Sequence, residues 1–153
     1  MENQTETSQR FYHRLEQLYA SLPFNRMVGI RVASVAVGGG TMTFTMRKEL
    51  VGNRFHGTLH GGVISTVLDA VGGLTASASL VERAVGLSEA ETLTMFSMVG
   101  TIDLRVDYLR PGRGQHFSAR GRIMRAGRKV AVVCMEMHNE EAVLVAVGTG
   151  TYM

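Results

Sequence analysis

The chain of 153 residues has no tryptophan, two prolines and a single cysteine, Cys134. A single cysteine excludes an intramolecular disulfide and fits a reducing compartment, so we expect a cytoplasmic protein. Aromatic residues make up only 7% of the chain, and no zinc-finger or aromatic RNA-binding motif is present. Nucleic acid is therefore not an expected partner. Residues 1–6 are polar and acidic, unlike a secretory signal peptide.

What the sequence contains is typical of one soluble globular domain. Hydrophobic residues make up 45% of the chain and charged residues 19%, and 153 residues are enough to bury one core. We therefore predict a single domain over residues 1–153, with an N-terminal helical arm over residues 1–24. The net charge is +3, and basic residues cluster late in the chain. These residues either lie on a solvated surface or bind an anionic small molecule.

The longest apolar stretch follows His60, and its only charged residue before Glu82 is Asp69. The stretch is long enough to cross a membrane, but its glycines, serines and threonines argue against a lipid-facing span. Because it is apolar almost all round, it predicts a buried helix from residue 60 or 61 to about residue 81, without membrane insertion. The pair Gly72-Gly73 inside this helix predicts close approach of a sheet or of a partner subunit.

Segments of alternating or continuous apolar character predict six strands around this helix. They cover residues 31–37, 41–47, 102–109, 115–125, 129–138 and 142–152. A first helix ends at Pro23. This order predicts an α+β architecture in which an antiparallel β-sheet of about six strands wraps around the long central helix. Such a sheet leaves a face or an edge uncovered, so we expect a homo-oligomer. It is at least a dimer, and a tetramer is equally compatible with the sequence.

Asp69 is the residue that most needs an explanation. A carboxylate buried without a partner costs several kcal/mol, so Asp69 is exposed, paired or catalytic. It lies nine residues beyond His60, which places it roughly 13 Å along the helix axis. The N–H groups of Gly61 and Gly62 at the helix start could hold an oxyanion, but not beside their own Asp69. Two chains with antiparallel helices would bring these groups together, which favours a site shared across a dimer interface.

Other candidate residues give weaker signals. His56 and His60 have the spacing of a metal-binding pair, but Gly57 opposes a helix there and no glutamate accompanies them, so we expect no metal. The Thr101 hydroxyl could orient a water molecule, or Thr101 could be an ordinary β-branched strand residue. The chain has no P-loop, no dinucleotide-binding glycine motif and no nucleophile elbow.

Two sequence blocks resemble the hotdog-fold thioesterase superfamily, in the branch of the phenylacetate-degradation thioesterases. The first block runs from Gly57 to Gly62 and is followed at the matching distance by Leu68-Asp69. The second is the segment 101–111, and the resemblance covers roughly Arg31 to the C-terminus. It implies a hotdog fold and an acyl-CoA substrate that is hydrolysed to a carboxylic acid and coenzyme A. It implies no cofactor other than the coenzyme A of the substrate.

The same resemblance implies catalytic roles for five residues. Asp69 is the general base or the nucleophile, and Gly61 donates its N–H to the oxyanion. His60 helps to place the thioester, and Thr101 positions the water. Relatives often carry an asparagine one position later than Asn53, which is the fifth candidate. In the family, the aspartate and the hydroxyl come from one subunit and the oxyanion donor from the other.

Substrate binding is expected from a further set of residues. A second glycine amide would assist at the carbonyl, basic turn residues would contact the coenzyme A phosphates, and flexible methionines would line the acyl pocket. These residues are Gly62, Arg110, Arg113, Arg128, Lys129, Met95 and Met98. The methionine- and leucine-rich content favours medium or long aliphatic acyl chains.

Two alternative functions stay open at this point. A non-catalytic acyl-CoA-binding or sensor protein on the same fold would keep the pocket without needing Asp69. A hotdog dehydratase or hydratase is disfavoured, because the proline-rich loop usual before its active-site helix is missing and the only prolines are Pro23 and Pro111.

Overall fold

The structure, a computed structural model, describes residues 4–153, with side chains from Ser8 onward. The helices are α1 (Gln4–Ser21), α2 (Pro23–Val28), α3 (Gly61–Ala78), α4 (Val81–Ala84) and α5 (Glu89–Ser97). The strands are β1 (Arg31–Ala36), β2 (Gly39–Thr45), β3 (Val51–Asn53), β4 (Thr58–Leu59), β5 (Thr101–Tyr108), β6 (His116–Ala126), β7 (Ala131–Asn139) and β8 (Leu144–Tyr152).

Six of these strands form one sheet in the order β1-β2-β6-β7-β8-β5, and every neighbouring pair is antiparallel. The predicted α+β architecture, with six antiparallel strands and a long central helix, is confirmed. β1 and β2 form an antiparallel hairpin, whose turn contains Gly38 at φ 83°, a conformation that glycine adopts without strain. After α3 the chain enters β5, which pairs with β8, so β1 and β5 are the two edges of the sheet.

Helix α3 contributes the centre of the hydrophobic core. Val67, Leu68, Val71 and Leu74 are completely buried, and the helix packs mainly against β2, β6, β7 and β8. Burying a side chain of this size contributes roughly 1.5–3 kcal/mol relative to leaving it exposed. By length and composition α3 could cross a membrane, but 56% of it is buried inside the fold, as expected for a core helix.

The N-terminal arm consists of two helices, whereas the sequence predicted one. α1 ends before Pro23 as expected, but Pro23 then begins α2, because a proline fits the first helical turn, where its missing N–H has no intrahelical partner. Gly29, at φ 87°, ends α2, and its N–H donates to the carbonyls of Asn25 and Arg26. The Asn25 side chain donates to the Tyr19 carbonyl, so hydrogen bonds fix the angle between the two helices.

The connection after α3 is also more helical than expected. α3 ends at Ala78 rather than near residue 81, and the short α4 follows directly. α5 begins with a capping box, in which Ser88 Oγ accepts the Glu91 N–H and the Glu91 carboxylate accepts the Ser88 N–H. β5 begins just after α5.

Two tyrosine rings account for the glycine pair in α3. A methyl group added at Gly72 would overlap the hydroxyl of Tyr152 from β8. A methyl group at Gly73 would lie 3.1 Å from the hydroxyl of Tyr19 from α1. The predicted close approach of the sheet therefore occurs at Gly72. We call the surface of Gly72 and Gly73 the glycine notch.

We predict that Gly72→Ala destabilises the protein, although alanine favours a helix over glycine by about 1 kcal/mol. The added methyl group has no space beside the Tyr152 ring, and overpacking of this kind costs about 1–3 kcal/mol. Gly73→Ala is the matched control, because the Tyr19 hydroxyl that it meets needs to move by only a few tenths of an ångström. Thermal unfolding followed by circular dichroism should give the lower Tm for Gly72→Ala, and equal Tm values would contradict this packing.

Candidate active site

Asp69 lies in the middle of α3, on the face that the sheet does not cover. The residues of α3 that keep some exposure include Gly62, Thr66, Asp69 and Gly73, which follow one another at helical spacing. Asp69 itself is half-buried. It is therefore neither a fully solvated charge nor a charge enclosed in the core.

Two hydrogen bonds from neighbouring strands hold the Asp69 carboxylate. Thr101 Oγ1, at the start of β5, donates to Asp69 Oδ1 at 2.8 Å. Tyr152 Oη, near the end of β8, donates to the same oxygen and to the Asp69 backbone carbonyl, both at 3.3 Å. Among the residues that the structure describes, none donates to Asp69 Oδ2. One carboxylate oxygen is thus held and the other is left available.

The structure brings the sequence candidate Thr101 to Asp69, although the two are 32 residues apart. Its hydroxyl contacts the carboxylate itself, in addition to any water that it meets during a reaction. Sequence reasoning missed Tyr152, which is 83 residues from Asp69. The one usable signal was the glycine pair, which indicated that something approaches the helix but did not identify it.

Burial raises the pKa of the Tyr152 phenol, and the negative charge of Asp69 raises it further. Burial also raises the pKa of Tyr19 to about 12, against the opposing effect of its hydrogen bond to Ser77. Both phenols therefore stay protonated at neutral pH. Tyr152 can act only as a hydrogen-bond donor toward a charged carboxylate.

The start of α3 has a specific hydrogen-bond arrangement around His60. His60 is the N-cap, and its Nδ1 accepts the Gly62 N–H at 2.9 Å, which requires the ring proton on Nε2. Of the two amides predicted to bind a carbonyl, that of Gly62 is already engaged inside the chain. Within the described part of the chain no acceptor faces the Gly61 N–H. Tyr108 Oη donates to the Gly61 carbonyl at 3.3 Å and steadies this turn.

A cleft of about 340 Å³ opens beside Asp69, Thr101 and Tyr152. Its apolar wall is the junction of α1 and α2, formed by Leu22, Pro23 and Phe24, which we call the elbow. Leu22 is 38% exposed and Phe24 is 54% exposed, so apolar surface faces the open cleft. The cleft therefore joins a carboxylate to a hydrophobic wall.

The two methionines predicted for an acyl pocket do not line this cleft. Met95 is half-buried against the core, and Met98 is 74% exposed just after α5. The cleft instead takes Val99 and Gly100 from the same connection.

The four basic residues predicted to contact phosphates lie in two separate pairs. Arg110 and Arg113 follow the end of β5, and Arg110 Nη1 donates to the Leu144 carbonyl. Arg128 and Lys129 lie in the β6–β7 turn, next to Ala131, which pairs with Tyr152. Because β5 starts opposite Tyr152, the two pairs lie at opposite ends of the sheet, roughly 20 Å apart by strand rise.

Asn53 shapes the loop before the helix. Its Oδ1 accepts the N–H groups of Phe55 at 3.0 Å and of His56 at 3.3 Å. The side-chain oxygen is thus occupied by its own loop. Among residues 4–153, no three histidine, cysteine, aspartate or glutamate side chains gather into a group that could hold a metal ion.

Comparison with known proteins gives a consistent family. The family model described as "Thioesterase superfamily" matches residues 56–146. The medium/long-chain acyl-CoA thioesterase YigI of Escherichia coli (strain K12) is 44% identical over 138 residues, which are 90% of this chain and 89% of that protein. The corresponding YigI protein of Salmonella typhimurium is 43% identical over the same length and the same shares of the two chains.

Solved structures agree with the sequence comparison. A crystal structure of a Shewanella oneidensis protein related to the thioesterase superfamily superposes with a TM-score of 0.86 at 44% identity, covering 98% of this chain and 96% of that chain. The Escherichia coli PaaI protein from the phenylacetic acid degradation operon superposes with a TM-score of 0.76 at 19% identity, covering 95% and 94% of the two chains. This second likeness is one of fold.

Proposed function

The chain belongs to the thioesterase superfamily, and from that premise we propose that it hydrolyses medium- or long-chain acyl-CoA to a carboxylic acid and coenzyme A. The family and the hotdog fold that the sequence predicted are confirmed. The observation that carries the proposal is the Asp69 carboxylate, held through one oxygen at the mouth of a cleft with an apolar wall. The name of the YigI relative supports the chain-length class.

In the proposed reaction, Asp69 Oδ2 acts on the thioester from the cleft. It either removes a proton from a water molecule that attacks the carbonyl carbon, or attacks that carbon itself and is later released by water. In both routes a C–O bond forms, the C–S bond breaks, and coenzyme A leaves as a thiolate that takes a proton from solvent. Thr101 keeps Oδ1 occupied, so that Oδ2 is the reacting oxygen.

The oxyanion donor in this proposal is the N–H of the partner subunit's Gly61. Within one chain, Gly61 and Asp69 are eight residues apart on one helix, roughly 12 Å by axial rise. Two features support a second copy of the chain at this place. α3 keeps a partly exposed face of small residues around Asp69, and the edge strand β5 exposes 54% of Ile102 beside it.

The same dimer arrangement would let the two separated pairs of basic residues bind one substrate molecule. A two-fold axis that brings the partner's Gly61 to Asp69 also brings the partner's Arg110 and Arg113 toward the end of the sheet that carries Arg128 and Lys129. Positive charges from both subunits would then meet the phosphates of one coenzyme A. We further propose that no cofactor is needed beyond this coenzyme A. The free thiol of Cys134 supports a cytoplasmic location.

Asp69→Asn should lower kcat at least a hundredfold, the usual size of an acid–base contribution. Asparagine keeps the shape and the contact with Thr101 but cannot act as a base or nucleophile. Coenzyme A release from octanoyl- and palmitoyl-CoA, followed with a thiol reagent, measures the effect. Near-wild-type hydrolysis by a folded Asp69→Asn protein would refute the role of Asp69. If the wild-type protein binds these substrates but releases no thiol, the protein is an acyl-CoA binder instead.

A shared site predicts that two inactive variants restore each other. Gly61→Pro removes the one N–H that the oxyanion needs, and proline is tolerated at the first helical position after the extended His60 backbone. Asp69→Asn removes the carboxylate. Co-refolding the two variants should recover activity, because a mixed dimer combines an intact Gly61 from one chain with an intact Asp69 from the other. A mixture as inactive as its components would contradict the shared site.

The elbow predicts a chain-length effect that spares short substrates. Phe24→Asp places a charge where an aliphatic chain would lie. KM for dodecanoyl-CoA should therefore rise roughly tenfold or more, because the loss of one apolar side-chain contact weakens binding by about that factor. KM for acetyl-CoA should stay near that of the wild type. Met27→Asp is the matched control, since Met27 is exposed on the same helix but does not line the cleft. An equal change for all chain lengths would place the acyl chain elsewhere.

A further inference from the structure

We infer that Tyr152 is a positioning residue for Asp69, and that the missing side chain of Gly72 admits its hydroxyl to the carboxylate. This inference rests on the proposed function, since it assigns a role within the hydrolytic site. Because its side chain is only 2% exposed, Tyr152 acts through Asp69 rather than on the thioester. It determines which oxygen of Asp69 is held by the protein and which oxygen faces the substrate.

The first support is the geometry around Asp69 Oδ1. This oxygen accepts from Thr101 at 2.8 Å and from Tyr152 at 3.3 Å. Tyr152 also reaches the Asp69 backbone carbonyl at 3.3 Å, so its hydroxyl bridges the main chain and the side chain of one residue. A carboxylate tied in this way cannot rotate without breaking a hydrogen bond. Oδ2 therefore keeps one direction toward the cleft.

The second support is the missing side chain at Gly72 of α3. Gly72 is one of two adjacent glycines in the middle of a buried helix, where each costs about 1 kcal/mol relative to alanine. A methyl group at Gly72 would overlap the Tyr152 hydroxyl and crowd its ring. Helix stability is therefore lowered at the one position that lets this phenol come within hydrogen-bond distance of Asp69.

The third support is that the Tyr152 ring is fixed and its hydroxyl is a donor. The side chain is only 2% exposed, and β8 places it directly opposite Thr101 in the sheet. Burial and the charge of Asp69 keep its phenol protonated. Among the described residues, the titratable groups that face Asp69 are Tyr152 from β8 and Tyr19 from α1. Neither supplies a positive charge, so donation is the remaining way to stabilise the carboxylate.

The test compares Tyr152→Phe with Tyr12→Phe, a remote, half-buried tyrosine of α1 that loses the same hydroxyl. Tyr152→Phe should lower kcat for dodecanoyl-CoA about tenfold, the usual value of a hydrogen bond to a charged group, with KM changed less than twofold. The acidic limb of its kcat–pH profile should move to higher pH, because the charged form of the base has lost a donor. Tyr12→Phe should match the wild type in all three quantities.

A Tyr152→Phe protein that is folded and keeps the wild-type kcat and pH profile would overturn the inference. If Asp69→Asn is inactive in the same assay, the proposed function stands and only the role of Tyr152 fails; if Asp69→Asn is active, the proposed function fails first. Should Tyr152→Phe not fold, 3,5-difluorotyrosine introduced at position 152 keeps the ring and makes the donor more acidic. The acidic limb should then move to lower pH, and an unchanged limb would equally overturn the inference.

Discussion

A charged carboxylate in an otherwise apolar helix has to be stabilised, and among the residues described here hydrogen bonds rather than an ion pair do so. None of the ion pairs found in the described residues includes Asp69. The donors are Thr101 and Tyr152, which are direct partners across β5 and β8. The direction of the free carboxylate oxygen therefore depends on the register of two strands. A slip of the edge strand β5 by one residue would turn Thr101 to the other face of the sheet and separate it from Tyr152.

The central helix combines two requirements that conflict locally. Its buried side must be apolar to hold the sheet, which Val67, Leu68 and Val71 achieve. Its other side must carry a polar group and let neighbouring elements come close. This favours small residues such as glycine, which lower the helix propensity of the segment. The conflict is resolved because the long apolar side gives enough packing to tolerate two adjacent glycines. The stability of the core and the chemistry of the site are thus properties of opposite faces of one element.

Most of the fold could be predicted from the sequence, because it follows from periodicity. Alternation located the six strands of the sheet, and the uninterrupted apolar stretch located α3. α2 does not follow from the sequence pattern, because Pro23 can end one helix and equally well begin the next one. The flexibility of methionine favours Met95 and Met98 for a pocket, but it does not reveal that Met98 is exposed after α5.

The site was predictable to the extent that a motif encoded it. His60, Gly61 and Asp69 belong to one short block, whereas Tyr152 is joined to Asp69 only by the folding of β8 onto α3. The hydrogen bond from the Gly62 N–H to His60 Nδ1 likewise cannot be predicted from the sequence, since it depends on a side-chain rotamer. Contacts between distant segments can be predicted only when the order of the strands in the sheet is known, and no local sequence pattern gives that order.

The elbow of Leu22, Pro23 and Phe24 belongs to the arm, outside the six-stranded sheet and its central helix. Mutations there change the wall of the cleft while the buried residues of α3 and the hydrogen bonds of Asp69 stay as they are. Diversification of substrate range in such a lineage can therefore proceed by exchange of a few arm residues, with little selection against them from folding. The exposed elbow can therefore vary more freely than Leu15 and Val28 of the same arm, which are buried in the core.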